Sequence, residues 1–354
     1  MNEMATTLPA PPAVSRRRRT PLLLGALALL VLAVLLWGLA SGATDVGAAD
    51  ALSALWRAAA GVPAQGDDAI VLALRLPRLL FGALVGAGLA AAGVAMQGLF
   101  RNPLADPALI GVSSGAAFGA VATIVCGHWL FAGGASPDGV AAGAFVCGVV
   151  ATFSVWLIGR RRPGVATLLL AGVAINAIGF AGIGWLQYLA SERQLRDLTF
   201  WSLGSLAGID WRRLAIVAPC IGVPLLLLPL QARALNALLL GDREAAFLGF
   251  RPARVQRLLL ALTALMVSAA VAFTGVIGFV GLVVPHLLRL GFGPDHRLLL
   301  PASALGGAAL VPAADTLART VAVPAELPLG VLTALVGGPF FLWLLLRTPI
   351  VETD

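Results

Sequence analysis

Lysine is missing altogether: every one of the 24 basic Lys-or-Arg positions is an arginine. A phosphate-binding loop of the form G-x-x-x-x-G-K-[ST] needs its lysine, so this chain cannot itself be a Walker-type ATPase. Histidine is nearly absent too, and the spacing of His128, His286 and His296 fits no metal site. The three cysteines, Cys126, Cys147 and Cys220, are an odd number and lie inside apolar runs. There a cysteine behaves as a small hydrophobe, and we read all three as packing residues. Tyr188 is the only tyrosine, placed near the outer end of a span, where an interfacial aromatic is expected. Charged residues make up 12% of the chain, and Asp315, near the end of a run, is almost the only carboxylate inside one. Without paired carboxylates, a metal cluster or a nucleophile beside a base, an intramembrane enzyme ranks last. An ion-coupled secondary transporter usually needs ionisable groups near the bilayer midplane. Replacing Asp315 by Asn would separate that reading, because loss of ion coupling is expected only there.

What the chain has in plenty is apolar length. Hydrophobic residues make up 59% and the mean hydropathy is +0.95, which describes an integral membrane protein. A spanning helix takes roughly 20 apolar residues. Ten runs qualify: 21–40, 79–99, 108–130, 139–158, 166–189, 212–231, 257–274, 276–292, 298–316 and 328–346. Barrel-type alternation is lacking, so the fold class is all-α with about ten transmembrane helices. Residues 1–20 read as a disordered basic tail, 21–348 as the membrane domain and 349–354 as a C-terminal tail. RRRR at 16–19 resembles the start of a signal peptide, but the apolar run after it is too long for one; we take it as a retained first span.

Ten spans put both termini on one side. With the N-terminus inside, Arg16–Arg19, Arg101, Arg160–Arg162, the five arginines from Arg233 to Arg257, Arg289, Arg297 and Arg347 are cytoplasmic, 16 of the 24. The net charge of +7 is then explained by topology, with no nucleic-acid partner. Arg75 and Arg78 of LRLPR (74–78) fall on the outer face. Gly111, Gly115 and Gly119 recur along one face, and Gly275, Gly278 and Gly281 form a second cluster, which suits close helix packing in lipid. Glycine content alone fits a bundle around a pathway and ordinary helix packing equally. A faint echo between 92–111 and 274–296 suggests an inverted repeat of the transporter kind. The cytoplasmic loop 231–257 reads as two short helices lying across the spans and offering small residues to a partner, or as surface-lying helices without one.

Several stretches together carry a resemblance: LRLPR with GALVGAGLAAAGVAMQGLFRNPLADPALIGVSSGA (74–116), LLLAGVA (168–174), GDREAAFLGF (241–250), TGVIGFVGLVVPHLLRL (274–290), GPDHR (293–297) and ELPLGVLTALVGGPFFLWLLL (326–346). The chain resembles the FecCD-type permeases, membrane subunits of type II ABC importers for cobalamin, iron-siderophores and haem, over nearly everything after residue 70. The resemblance implies a bacterial inner-membrane homodimer, two separate ATP-binding cassette subunits that use ATP and Mg, and a periplasmic substrate-binding protein; no cofactor belongs to the chain itself. It further implies that Arg75, Arg78 and Arg319 receive acidic residues of the binding protein. Asp242, Arg243, Glu244, Ala245, Leu248 and Gly249 would form coupling helices (about 233–252) seated in the ATPase. Asn102, Leu104, Val165, Ala166 and Thr167 would form a cytoplasmic gate. Relatives can carry hydroxyl residues at the last three positions, so Val165 and Ala166 make this gate more apolar; Asn102-Pro103 also reads simply as a turn. For LRLPR the competing reading is interfacial anchoring of a helix end. LRDLTFWSLGSLAG (195–208) looks most like the haem permeases, and a pathway free of charge suits a large, flat, mostly apolar cargo; siderophore and cobalamin stay open.

Overall fold

The computed structural model describes residues 13–42, 46–130, 134–162, 164–323 and 325–347; the expected tail 349–354 and residues 1–12 of the expected N-terminal tail lie outside them. Among the described residues every regular element is helical. Helix α1 (Ala13–Ala40) is followed by the amphipathic α2 (Ala48–Ala59) and by α3 (Asp67–Phe100), a continuous 34-residue helix. Then come α4 (Val112–Leu130), α5 (Pro137–Arg161), α6 (Val165–Leu189) and the short α7 (Glu192–Leu203). Next are α8 (Trp211–Leu227), α9 (Ala232–Leu238), α10 (Asp242–Phe247) and α11 (Pro252–Thr274). The chain closes with α12 (Val280–Phe292), α13 (His296–Ala318) and α14 (Leu329–Arg347). Eight helices are long and apolar enough to cross a membrane, and α12 and α14 are shorter apolar helices. Together they match the ten expected runs.

Three expectations change. The first helix starts at Ala13, so 13–20 is helical rather than part of a disordered tail. The first of the two predicted loop helices is not a separate element: a 3-10 turn at Leu228–Gln231 joins α8 to α9, giving a run Trp211–Leu238. Its Ala234, Leu235, Ala237 and Leu238 are buried against α3 and α13, so tertiary packing, not a partner, covers that apolar face. The echoing segments are also not inverted. Helices α3 and α12 both run from the end of the bundle that carries Arg78 toward the end that carries Arg101, and they pack in parallel, the C-terminal half of α3 against the first turn of α12, where Gln97 Nε2 donates to Gly281 O at 3.2 Å.

Helix α3 is the axis of the bundle: its apolar stretch is mostly buried, whereas those of α1 and α6 are mostly not. Lipid gives helices little reason to associate through apolar area, so contact must come from close approach. Glycines supply it. A Cβ at Gly86 would collide with the carbonyl of Gly307 on α13, and one at Gly307 with the carbonyl of Gly86. Gly93 meets Gly281 O of α12 in the same way, and Gly119 of α4 meets Gly143 O of α5. Gly111 has φ +78 and ends a 3-10 turn, so it does not share the helical face of Gly115 and Gly119. Prolines lie inside α8, α12, α13 and α14, a feature that membrane helices tolerate better than soluble ones.

Between α11 and α12 the chain breaks at residues 275–279, with Gly275 at φ +69 and Phe279 at φ +68. Gly275 lies on the carbonyl of Trp201, where no side chain fits. Ser205 N donates to Thr274 O at 2.8 Å and Leu329 N to Gly204 O at 2.9 Å, so the break, α7 and the start of α14 are tied backbone to backbone.

Gly86→Leu is expected to lower stability by about 2 kcal/mol or more through overpacking of the α3–α13 contact. Gly222→Leu, whose Cβ meets nothing within 4 Å, should be neutral. Midpoints of thermal unfolding in detergent compare the two; equal midpoints would refute the close contact.

Candidate functional site

The sequence-predicted residues gather at the two ends of the bundle. At the first end, α3 loosens into a π turn at Ile70–Arg75, just ahead of Pro77. Proline has no N–H to give and crowds the carbonyl one turn back, so the helical ladder slackens there. Trp211 Nε1 caps a carbonyl of that turn, Leu72 O, at 2.9 Å. Arg75 and Arg78, three residues apart, lie on neighbouring positions of one helix face.

The structure brings Arg75, Arg78 and Arg319 to this same end, but it spends them internally. Arg75, 5% exposed, donates from Nη1 to Leu39 O at 2.5 Å and Val46 O at 3.2 Å. Arg319, 8% exposed, donates from Nη2 to Gly38 O at 2.5 Å. Both therefore satisfy carbonyls at the C-terminal end of α1, groups that a helix leaves without partners. Arg78 holds Asp315 in a fork, Nε to Oδ2 at 2.9 Å and Nη2 to Oδ1 at 2.8 Å. It also holds Glu326, Nη1 to Oε1 at 3.0 Å and Nη2 to Oε2 at 2.9 Å. Asp315 is buried, Glu326 is 43% exposed, and Arg319 Nε stands 3.8 Å from Asp315. The hydrogen bond from Arg78 holds the Glu326 carboxyl below the usual glutamate range. A carboxyl lowered in this way keeps the clasp at neutral pH and releases it only as pH falls through that lowered value.

Asp315 is thus a structural counter-ion shared by α3 and α13. Sequence reasoning missed this pairing, since 237 residues separate Arg78 from Asp315 and no local spacing links them. It also missed Arg193 and Arg196 on α7, which are exposed at this end. Their charge in the amphipathic ERQLRDL stretch was the available signal.

At the second end, Arg101 closes α3 in a left-handed conformation, φ 52. Its Nε donates to Leu238 O at 2.6 Å, and its guanidinium forms an ion pair with Asp242 at the start of α10. Gln256 Nε2 of α11 reaches both Asp242 oxygens at 3.3 and 3.4 Å. Gly241 and Gly249, both at positive φ, bound α10. Ala245 is fully buried, whereas Phe247 is 90% and Leu248 60% exposed. The surface around α10 therefore offers the large apolar side chains of Phe247 and Leu248 as well as the small Ala246, beside exposed Arg243 and Glu244.

The residues expected to gate lie at this end as well. Asn102 is exposed, and its Oδ1 accepts from Leu104 N at 2.9 Å, a turn built on its own backbone. Val165, Ala166 and Thr167 form the first turn of α6. Among the described residues no hydrogen bond joins the two groups; the link is the 3-10 turn Pro107–Ile110, whose Leu109 carbonyl abuts Gly172 of α6. Asn176 locks that seam: Nδ2 donates to Ala108 O at 3.1 Å, and Oδ1 accepts from Ser114 Oγ at 2.5 Å. An asparagine inside an apolar run was the signal for it. A second buried polar link joins Arg289 Nη2 to Gln97 Oε1 at 2.5 Å. Among the described residues no group of His, Cys, Asp and Glu could hold a metal.

Comparison with known proteins places this geometry. Residues 29–347 match the FecCD transport family. The hemin transport system permease protein HmuU of Yersinia pestis is 46% identical over 326 residues, spanning 89% of this chain and 94% of that protein. The cobalamin import system permease protein BtuC of Halobacterium salinarum is 46% identical over 287 residues, 80% of this chain and 75% of that protein. Among solved structures, a metal-chelate type ABC transporter in an inward-facing conformation superposes with a TM-score of 0.81 at 33% identity, covering 93% of this chain and 100% of its own.

Asp315→Asn is expected to cost about 3 kcal/mol of stability, because it strands buried positive charge. Adding Arg78→Gln to that variant should recover part of the loss. Unfolding midpoints in detergent would read this, and an Asp315→Asn variant as stable as the wild type would remove the counter-ion role.

Proposed function

The chain belongs to the FecCD transport family and is an ABC importer permease, and from that premise we propose that it passes haem across the bacterial inner membrane. The reading of the cargo rests on one observation: the likeness to the hemin permease runs at 46% identity over 94% of that protein, while the equally identical cobalamin relative is matched over 75% of its length. The apolar character of the spans agrees with a flat, mostly apolar cargo that is handed on without tight binding. Cobalamin is the second reading, carried by that second relative.

In this proposal the chain works as a homodimer with both termini in the cytoplasm. The Arg78 end faces the periplasm and a substrate-binding protein, and the α10 end meets two ATP-binding cassette subunits that supply ATP hydrolysis with Mg. Arginine placement supports the orientation, since Arg101, Arg160–Arg162, Arg233 to Arg257, Arg289 and Arg297 all lie at or near the α10 end. Docking proceeds by exchange. Arg78 already carries two carboxylates, of which Glu326 is the exposed one, so an acidic residue of the binding protein takes the place of Glu326 while Asp315 stays. Arg75 and Arg319 hold Arg78's surroundings in place through α1 instead of meeting the partner.

At the other end, Phe247 and Leu248 with Arg243 and Glu244 enter the ATPase cleft. Buried Ala245 and the flanking Gly241 and Gly249 act as the pivot. The ion pair of Asp242 with Arg101 passes displacement of α10 to the end of α3, a rigid-body transmission. Opening at Asn102, Leu104, Val165, Ala166 and Thr167 follows, because the segment after Arg101 is seated on α6.

Proteoliposomes holding the chain with its ATPase subunits and binding protein should take up haem with ATP and leave cobalamin outside; uptake of cobalamin alone would overturn the cargo. Glu326→Gln should raise affinity for the binding protein a few-fold, mostly through association rate, and Arg78→Ala should abolish that gain. Phe247→Ala should weaken ATPase-subunit binding roughly tenfold or more while leaving the unfolding midpoint unchanged, since the side chain is exposed.

A further inference from the structure

On the outside of the bundle, a cavity of about 450 Å³ runs between α5 and α11. Its walls are Phe145, Val149, Phe153, Leu260, Ala264 and Leu265. Thr152 also borders it but turns its hydroxyl back to Gly148 O at 3.1 Å, so the floor is apolar throughout. Toward the Arg101 end the groove meets Trp156, and past the indole it continues into a smaller cavity that shares Trp156, Leu260 and Arg257 and adds Arg160.

Trp156 carries two cations. The guanidinium of Arg257 lies 5.4 Å from the ring centroid and that of Arg160 5.8 Å away. Both arginines are exposed, and among the described residues neither has a carboxylate within ion-pair reach or a hydrogen bond to a helix-terminal carbonyl. Arg57, Arg78, Arg101 and Arg212 each have an acidic partner; what sets Arg160 and Arg257 apart from the chain's other exposed arginines is that they share one indole at the mouth of an apolar groove. Two positive charges sharing one indole repel each other unless an anion sits with them. Arg161 and Arg162 line the next recess along the same helix end, adding to the positive field. An apolar slot on the outside of the bundle that ends in guanidiniums without an acidic partner has the chemistry of a lipid with a negative headgroup.

We propose that the α5–α11 groove binds an anionic phospholipid of the leaflet at the Arg101 end, an acyl chain along the apolar floor and the phosphate held by Arg160 and Arg257. Zwitterionic lipid can fill the slot with its tail but leaves the two cations without net compensation, so the site selects for headgroup charge. The bound lipid pins α5 to α11, and α11 is the helix whose Gln256 contacts Asp242.

Native mass spectrometry of the full chain, released from nanodiscs of equimolar phosphatidylglycerol and phosphatidylcholine, tests the assignment. The wild type should retain phosphatidylglycerol in preference, and Arg160→Gln with Arg257→Gln should cut that preference roughly tenfold. Ala261→Trp, at an exposed position lining the groove, should cut retention with both arginines intact. Arg297→Gln, an exposed arginine outside the groove, should leave retention as it was. Equal retention of the two lipids by the wild type, or an equal loss in Arg297→Gln, would overturn the site. So would displacement of the lipid by millimolar inorganic phosphate, which would make it a plain anion site. Loss of the lipid when the ATPase subunits bind would reassign the arginines to that protein contact.

Discussion

Helices in lipid gain little by hiding apolar surface from one another, so a bundle of ten must be held by contacts that lipid cannot make. In this chain those contacts are backbone against backbone. Helix α3 meets α13 at Gly86 and Gly307 and meets α12 at Gly93 and Gly281, at separations where no Cβ fits. Everything else is arranged around the resulting rod. Because neither helix can rotate or slide without losing the fit, α3, α12 and α13 move as one body, and the places where the chain can yield are pushed to the rim. They are the break at 275–279, the positive-φ glycines Gly241 and Gly249 that bound α10, and the turn at 101–110.

Buried charge is managed by the same economy of partners. Arginine rather than lysine suits this, since its planar fork can serve two acceptors at once. Arg78 holds Asp315 and Glu326 together, and Arg75 and Arg319 serve carbonyls of α1. The end of the bundle is therefore closed by a charge network that leaves Glu326 as its exposed member. In the docking proposed above, a partner protein approaching there would meet a carboxylate already in place, a competitor as well as an attraction, and competition of that kind sharpens specificity.

Much of the architecture was legible in the sequence. Apolar length gave the spans and the motifs gave the family, because both are written in consecutive residues. What escaped is what depends on neighbours distant in the chain. The apolar face of 232–238 looked like a surface awaiting a partner until α3 and α13 covered it. The pairing of Arg78 in LRLPR was hidden because Asp315 lies 237 residues further along the chain. Direction, too, is invisible to motif matching: the segments 92–111 and 274–296 look alike, and only their parallel packing rules out inversion. At α10 the composition suggested small residues; folding leaves Ala246 exposed but buries Ala245 and turns Phe247 and Leu248 outward as well, a matter of helix phase over a six-residue element too short for periodicity to fix.

The two ends of the site are joined by one helix. Arg78 and Arg101 are both carried by α3, about 35 Å apart at the helical rise, and each is clasped to an acidic residue of a different segment. A rod packed along its length by backbone contacts has few ways to absorb strain between those points. Displacing Asp242 pulls on Arg101, and moving α3 changes the geometry in which Arg78 holds Glu326. Coupling free energy is reciprocal, so a ligand that loosens the Glu326 clasp at one end must alter the ease of moving α10 at the other by the same amount. On the proposed function, communication across the bilayer then needs no chain of side-chain relays: it follows from having anchored both contacts to one helix packed along its length by backbone contacts.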